Sequence, residues 1–148
     1  MSKWINFFFH TKLLDWIQHP EPFMVTFNDY LKGILKQILE SYRTLLELKD
    51  KPGDLEIIKT EILKINGFFK IIIRKIESSQ NQSDTLMKLL KKSKHFLSNY
   101  EFEREIETMS ILYSNDSDRL RNIRLKIIES LQDKKLMENI ETIYDEMS

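Results

Sequence analysis

Residues 55–77 read LEIIKTEILKINGFFKIIIRKIE, and this stretch decides the fold. Its large apolar residues recur at alternating steps of three and four, which is the spacing of one face of an α-helix. The residues on that face are Leu55, Ile58, Ile62, Ile65, Phe69, Ile72 and Ile76. Residues 68–73 are apolar nearly all round the helix. We therefore predict that this helix is the central, most buried element.

A second apolar helix precedes this one, over about residues 27–49. Its apolar ridge consists of Phe27, Tyr30, Leu31, Ile34, Leu35, Ile38, Leu39, Tyr42, Leu45 and Leu46. The connecting loop, residues 50–54, contains Pro52 and Gly53 and is short, which predicts an antiparallel hairpin over about 27–77. In that hairpin Gly33 and Gly67 lie within about one turn of each other along the helix axes. Either a close helix crossing or two tolerated helix defects would explain them.

Polar segments at 78–83 and 114–118, with softer joints near 98–99 and 132–133, divide the rest of the chain into four shorter helices. Their predicted buried residues are Leu86, Leu89, Leu90, Phe96 and Leu97; Phe102, Ile106, Met109 and Tyr113; Leu120, Ile123, Ile127 and Leu131; and Leu136, Ile140, Ile143 and Met147. Ser98 and Glu101 have the spacing of a capping box at the start of the second of these helices. The predicted fold is therefore an all-α helical bundle, a single domain over 1–148 built on the long hairpin, with shorter C-terminal helices over 83–148.

Two basic clusters lie at equivalent positions when residues 83–114 are aligned with 117–148. The clusters are Lys88, Lys91, Lys92 and Lys94 with His95, and Arg119, Arg121, Arg124 and Lys126. Nine of the 32 aligned pairs are identical, which either similar composition or a duplicated helical hairpin explains. The clusters can form one surface for phosphates, anionic lipid or an acidic partner. Alternatively, they are ordinary solvated faces, balanced by the 12 acidic and 7 basic residues of 100–148.

Composition excludes several classes of protein. With 23 basic and 23 acidic residues the formal net charge is zero, which argues against a generic nucleic-acid binder. No cysteine is present, so disulfide scaffolds, thiolate metal sites and cysteine nucleophiles are excluded. Three glycines and three prolines are too few for Gly-rich phosphate loops or turn-dense β-barrels. The lack of alanine, and of any valine besides Val25, predicts an AT-rich source genome.

The sequence contains no arrangement typical of catalysis or metal binding. His10, His19 and His95 are far apart and belong to no metal-binding motif. The densest carboxylate group, Glu101 to Glu107 at every second residue, is interpreted as a solvated acidic helix face. We therefore predict that the chain is not an enzyme and has no cofactor, metal or small-molecule substrate.

The N-terminal segment 1–18 is rich in aromatic residues, including Trp4, Phe8 and Trp16. Such a helix is too apolar to remain uncovered in water. It can cap the core, bind a protein partner or a second copy of the chain, or lie in a membrane interface. No stretch approaches the roughly 18 apolar residues of a membrane span, so we expect a cytoplasmic protein without a transmembrane segment.

Together these features predict a non-catalytic protein that binds other proteins through its helical surfaces, such as an adaptor, an inhibitor, an immunity-type protein or a small assembly subunit. Its partner-binding residues would be Trp4, Phe8 and Trp16, and the partner a different protein or a homo-oligomer. The alternative is a nucleic-acid-binding or regulatory DNA-associated helical module. That module would contact anions through the clusters at 88–95 and 119–126.

Overall fold

The computed structural model describes residues 26–80 and 83–148. Across these ranges the chain forms six α-helices and one 3₁₀ turn but no strand, which confirms the predicted all-α class. The helices are α1 (Phe27–Glu47), α2 (Asp54–Ser78), α3 (Asp84–Asn99), α4 (Glu103–Leu112), α5 (Ser117–Gln132) and α6 (Leu136–Glu146), and the turn is Asp133–Lys135. The aromatic segment 1–18, with Trp4, Phe8 and Trp16, lies outside the described residues.

Helices α1 and α2 form the long antiparallel hairpin that the sequence predicts. They contact each other more extensively than any other pair of described helices. In the loop between them Gly53 has a φ of +95°, a left-handed conformation that favours glycine. The Asp54 carboxylate accepts a hydrogen bond of 2.9 Å from the backbone N–H of Lys51. This local pairing closes the loop at the point where α2 begins.

Helix α2 is the central element of the bundle. It packs against α1, α3, α4 and α5. Every residue of its predicted apolar stripe is buried, and none is more than 3% exposed. The Phe69 ring lies 5.1 Å from the Phe96 ring of α3, centroid to centroid. Buried residues from all six helices join this stripe in one continuous hydrophobic core.

The shorter helices repeat in length but not in packing. Helices α3 and α5 have 16 residues each, and α4 and α6 have 10 and 11. Helix α5 packs directly against α6, whereas α3 and α4 make no comparable contact within the described ranges. The 34-residue periodicity thus corresponds to helix boundaries, not to two equivalent hairpins.

Three local predictions are wrong. Ser98 lies in the last turn of α3, which ends at Asn99, so it cannot cap α4, which begins at Glu103. Tyr113 follows the end of α4 and is 37% exposed, because α4 stops before the ring can turn towards the core. Leu46 is 47% exposed, because it lies in the final turn of α1 at the edge of the apolar ridge.

Of the two explanations for Gly33 and Gly67, the structure favours tolerated helix defects over a close helix crossing. A Cβ atom added to either glycine would meet no described atom within 4 Å. Neither glycine is needed for the approach of a neighbouring helix, so both are helix defects that the fold tolerates.

The two helical glycines therefore offer room for stabilisation. Gly33→Ala and Gly67→Ala should each raise the free energy of unfolding by about 1 kcal/mol, because alanine favours the helix and fills open space. Gly53→Ala is the control and should lower it by about 1–2 kcal/mol, because its backbone is left-handed. Urea denaturation followed by circular dichroism measures all three. A loss of stability on Gly67→Ala would contradict the account.

Candidate interaction surfaces

An open groove of about 520 Å³ lies between α4 and α5. The two helices are joined by only four residues, so they run antiparallel. The α4 side of the groove includes Glu105, Thr108, Met109 and, just beyond the helix, Tyr113. The α5 side consists of Arg119, Asn122, Leu125, Lys126 and Glu129. Met109 is buried and Leu125 is 42% exposed, so the middle of the groove is apolar and its rim is polar.

Charged contacts bridge the groove at both ends. At one end Lys126 Nζ lies 3.0 Å from Glu105 Oε1. At the other end the Arg119 guanidinium lies 3.6 Å from the centre of the Tyr113 ring, a cation–π contact. These contacts tie the two helices together without covering the apolar residues between them.

The most exposed large apolar side chains of the described ranges lie at the end of α4. Ile111 is 77% exposed and Leu112 is 64% exposed. Neither side chain lines the groove, but Leu112 directly precedes Tyr113, which does. The sequence analysis did not predict this surface. In the sequence, Leu125 differs from a core leucine only because it lies off the apolar stripe of α5, which consists of Leu120, Ile123, Ile127 and Leu131.

The predicted basic cluster of α3 lies on the outer side of that helix. Lys88 and Lys91 are exposed, and neither has an ion-pair partner among residues 26–80 and 83–148. Lys92 is half-buried. Lys94 Nζ lies 2.8 Å from Glu77 Oε2 of α2. The two unpaired, exposed lysines of this cluster, Lys88 and Lys91, thus lie one turn apart on α3.

The second basic cluster, on α5, is largely neutralised by nearby carboxylates. Arg121 lies 3.1 Å from Asp118, and Lys126 is paired with Glu105 as described above. Arg119 lies 3.8 Å from Asp116. Helices α3 and α5 do not pack extensively against each other. The structure does not bring the two clusters together into one continuous basic surface.

Arg124, the remaining member, belongs to an internal ion pair. Its Nε and Nη2 donate to the two Asp50 carboxylate oxygens at 2.8 and 3.1 Å, and its Nη1 donates to the Leu45 carbonyl at 3.3 Å. The side chains of Arg124 and Asp50 are only 12% and 13% exposed. The hydrogen bonds to Asp50 raise the pKa of Arg124 above its ordinary value. This pair fastens the α1–α2 loop to α5, so Arg124 is not available to an external anion.

Breaking this pair should destabilise the fold. Arg124→Met should lower the free energy of unfolding by about 3 kcal/mol, because it leaves Asp50 charged and mostly buried. Adding Asp50→Asn should recover most of that loss. Arg121→Met, which breaks an exposed pair, is the matched control and should change stability by less than about 1 kcal/mol. Chemical denaturation measures each variant. Equal losses for Arg121→Met and Arg124→Met would refute the assignment.

A polar network joins the end of α3 to the turn before α6. Asp133 Oδ2 lies 2.9 Å from His95 Nε2 and accepts a hydrogen bond of 2.6 Å from the Tyr100 hydroxyl. His95 Nδ1 lies 3.1 Å from the Asn99 side-chain nitrogen. Residues Lys134 and Lys135 have φ of +58° and +56°, a left-handed backbone that costs energy outside glycine. The network holds this strained turn against α3.

Hydrogen bonding shifts the pKa values of Asp133 and Tyr100. The bond from Tyr100, followed by that from His95, holds the pKa of Asp133 below its usual range. The same bond raises the pKa of Tyr100. Both nitrogens of His95 have partners, Asp133 at Nε2 and Asn99 at Nδ1.

Because the pKa of Asp133 is lowered in the folded state, the contribution of Asp133 to stability depends on pH. That contribution is present above the unfolded-state pKa of about 3.9 and disappears as the pH falls through the lower folded pKa. Asp133→Asn should therefore reduce the decline in unfolding free energy between about pH 4 and pH 2. Asp145→Asn, at an exposed side chain on α6, is the control. Urea denaturation at a series of pH values tests this, and an unchanged slope for Asp133→Asn would contradict it.

The described ranges contain neither a metal-binding cluster nor a membrane-spanning helix. No group of three His, Asp or Glu side chains there could hold a metal ion. None of the helices in these ranges combines the length and apolar character needed to cross a membrane. Comparisons of the chain with protein-family models, with curated proteins and with solved structures find no match.

Proposed function

We propose that this chain is a non-catalytic protein-binding protein, of the adaptor, inhibitor, immunity or assembly-subunit kind, and that it binds its partner through the α4–α5 groove. The observation that carries this proposal is the exposure of Leu125 within the groove, together with the exposed Ile111 and Leu112 at the end of α4, where Tyr113 also lines the groove. Contiguous exposed apolar side chains with a polar rim are typical of protein interaction sites.

The shape of the groove favours a helical partner. Its α5 side runs from Arg119 to Glu129, about 15 Å along the helix axis. Two antiparallel helices with an open groove between them can accept a third helix, whose apolar face anchors at spacings of three and four residues. Charges of both signs at the rim would fix the orientation of that helix.

A non-catalytic role is supported by the state of the groups that could do chemistry. His95, Asp133 and Tyr100 form hydrogen bonds with one another or with Asn99. These bonds connect the turn before α6 to the end of α3, so a structural role accounts for the arrangement.

In-cell photo-crosslinking tests the proposal. A photoreactive amino acid at position 112 should form a covalent adduct with a protein in the cells that produce this chain, because Leu112 is exposed and directly precedes Tyr113, which lines the groove. The same amino acid at Ile57, which is 39% exposed on α2, is the matched control and should form no comparable adduct. Mass spectrometry identifies what is captured. Equal labelling at both positions, or no adduct at position 112, would sink the proposal.

A second candidate function, nucleic-acid binding, is favoured by one observation, the exposed unpaired lysines of α3. Lys88→Ala combined with Lys91→Ala would then weaken binding to random-sequence DNA and reduce its salt dependence. The ion pairs of the α5 cluster count against this alternative, because Arg124 is paired internally and nearby carboxylates neutralise Arg121 and Lys126.

The aromatic segment 1–18, with Trp4, Phe8 and Trp16, is proposed as a second partner-binding element, because tryptophan and phenylalanine are common interface anchors. A cytoplasmic setting and an AT-rich source genome are predictions from the sequence. The first agrees with the absence of cysteine, since disulfide-rich domains are typical of secreted proteins.

A further inference from the structure

We propose that the partner of the α4–α5 groove is the same groove of a second copy of this chain, in a two-fold symmetric dimer. This rests on the proposed function, because it names the partner of that surface. The dimer would place two antiparallel hairpins face to face and form a four-helix bundle.

The spacing of charges along α5 is what points to a second copy. Arg119 and Glu129 mark the two ends of the groove on this helix, and their midpoint lies at position 124, beside Leu125. When two copies of α5 cross antiparallel at that level, Arg119 of each copy lies opposite Glu129 of the other. In the two-fold symmetric dimer the Arg119–Glu129 ion pair forms twice, and the two Leu125 side chains lie near each other at the centre.

Both charged groups are available for such a contact. Glu129 is exposed and has no ion-pair partner in the described part of the chain. The Arg119 side chain is 51% exposed and lies 3.8 Å from Asp116. Its guanidinium also lies over the Tyr113 ring, but a guanidinium stacked on a ring face can still donate hydrogen bonds from its edges. A partner helix of uniform charge would meet a like charge at one end of the groove. A second copy presents opposite charges at both ends.

The size of the surface predicts a weak dimer. Helix α5 is about 24 Å long, and two adjacent helices are about 20 Å wide. A face of that size is smaller than the roughly 800 Å² per partner of typical stable interfaces. We therefore expect a dissociation constant in the micromolar range and association that depends on concentration.

Disulfide trapping tests the geometry, because the chain has no cysteine of its own. Leu125→Cys should give a covalent dimer under mild oxidation, since this residue lies next to its own copy at the two-fold axis. Ile57→Cys is the matched control, with a side chain 39% exposed against 42% for Leu125, and should remain monomeric. Dimers that form equally in both variants, or in neither, would overturn the proposal.

Charge reversal tests the pairing. Arg119→Glu and Glu129→Arg should each weaken dimerisation at least about tenfold in sedimentation equilibrium, whereas the double variant should restore it, since each reversed charge again meets its opposite. Both single changes place the new charge favourably for the α5 helix dipole, so the variants should stay folded. Failure of the double variant to recover would contradict the pairing, as would an unmodified chain that stays monomeric up to about 1 mM.

Two further outcomes would separate this inference from the proposed function. An adduct at position 112 with a different protein, from a chain that stays monomeric, would overturn the dimer while supporting the binding role of the groove. The dimer proposal would also be overturned if the chain is monomeric and Leu125→Asp shifts its tryptophan emission to the red. Trp4 and Trp16 are the only tryptophans, so that shift would mean that the N-terminal segment covers the groove.

Discussion

Burial of the α2 stripe is the constraint on which the rest of this structure depends. Its seven apolar residues are almost fully removed from water, and four other helices pack against the helix that carries them. Burial of large aliphatic and aromatic side chains is the main favourable term in folding. The chain has no alanine, so bulky side chains fill this centre, and Phe69 against Phe96 is one such contact.

Polar contacts then fix the ends of the helices around that centre. The Arg124–Asp50 pair fastens the α1–α2 loop to α5, and Asp133 connects the turn before α6 to α3. Helix α4 has no comparable internal anchor among the described contacts and is joined to α5 by exposed ones. The α4–α5 hairpin therefore packs on the core with one face and leaves the opposite, partly apolar face open.

Local periodicity was enough to predict the helices, the hairpin and nearly all of the core, because burial follows the helix period. It was not enough where a residue's role depends on distant parts of the chain. Arg121 and Arg124 look alike in the sequence, yet only Arg124 meets Asp50, 74 residues away. Asp133 likewise meets groups 33 and 38 residues away. The exposure of Leu112 depends on where α4 ends, and the ends of helices are the part that apolar periodicity predicts least well.

Native-state amide hydrogen exchange tests most directly whether α2 is the centre of the fold. The account predicts that amides between Ile62 and Ile72 exchange most slowly, with opening free energies equal to that of global unfolding. Amides of α4 should exchange through local opening at a lower free energy, because α4 packs at the periphery. Slower exchange in α4 than in the middle of α2 would contradict this account.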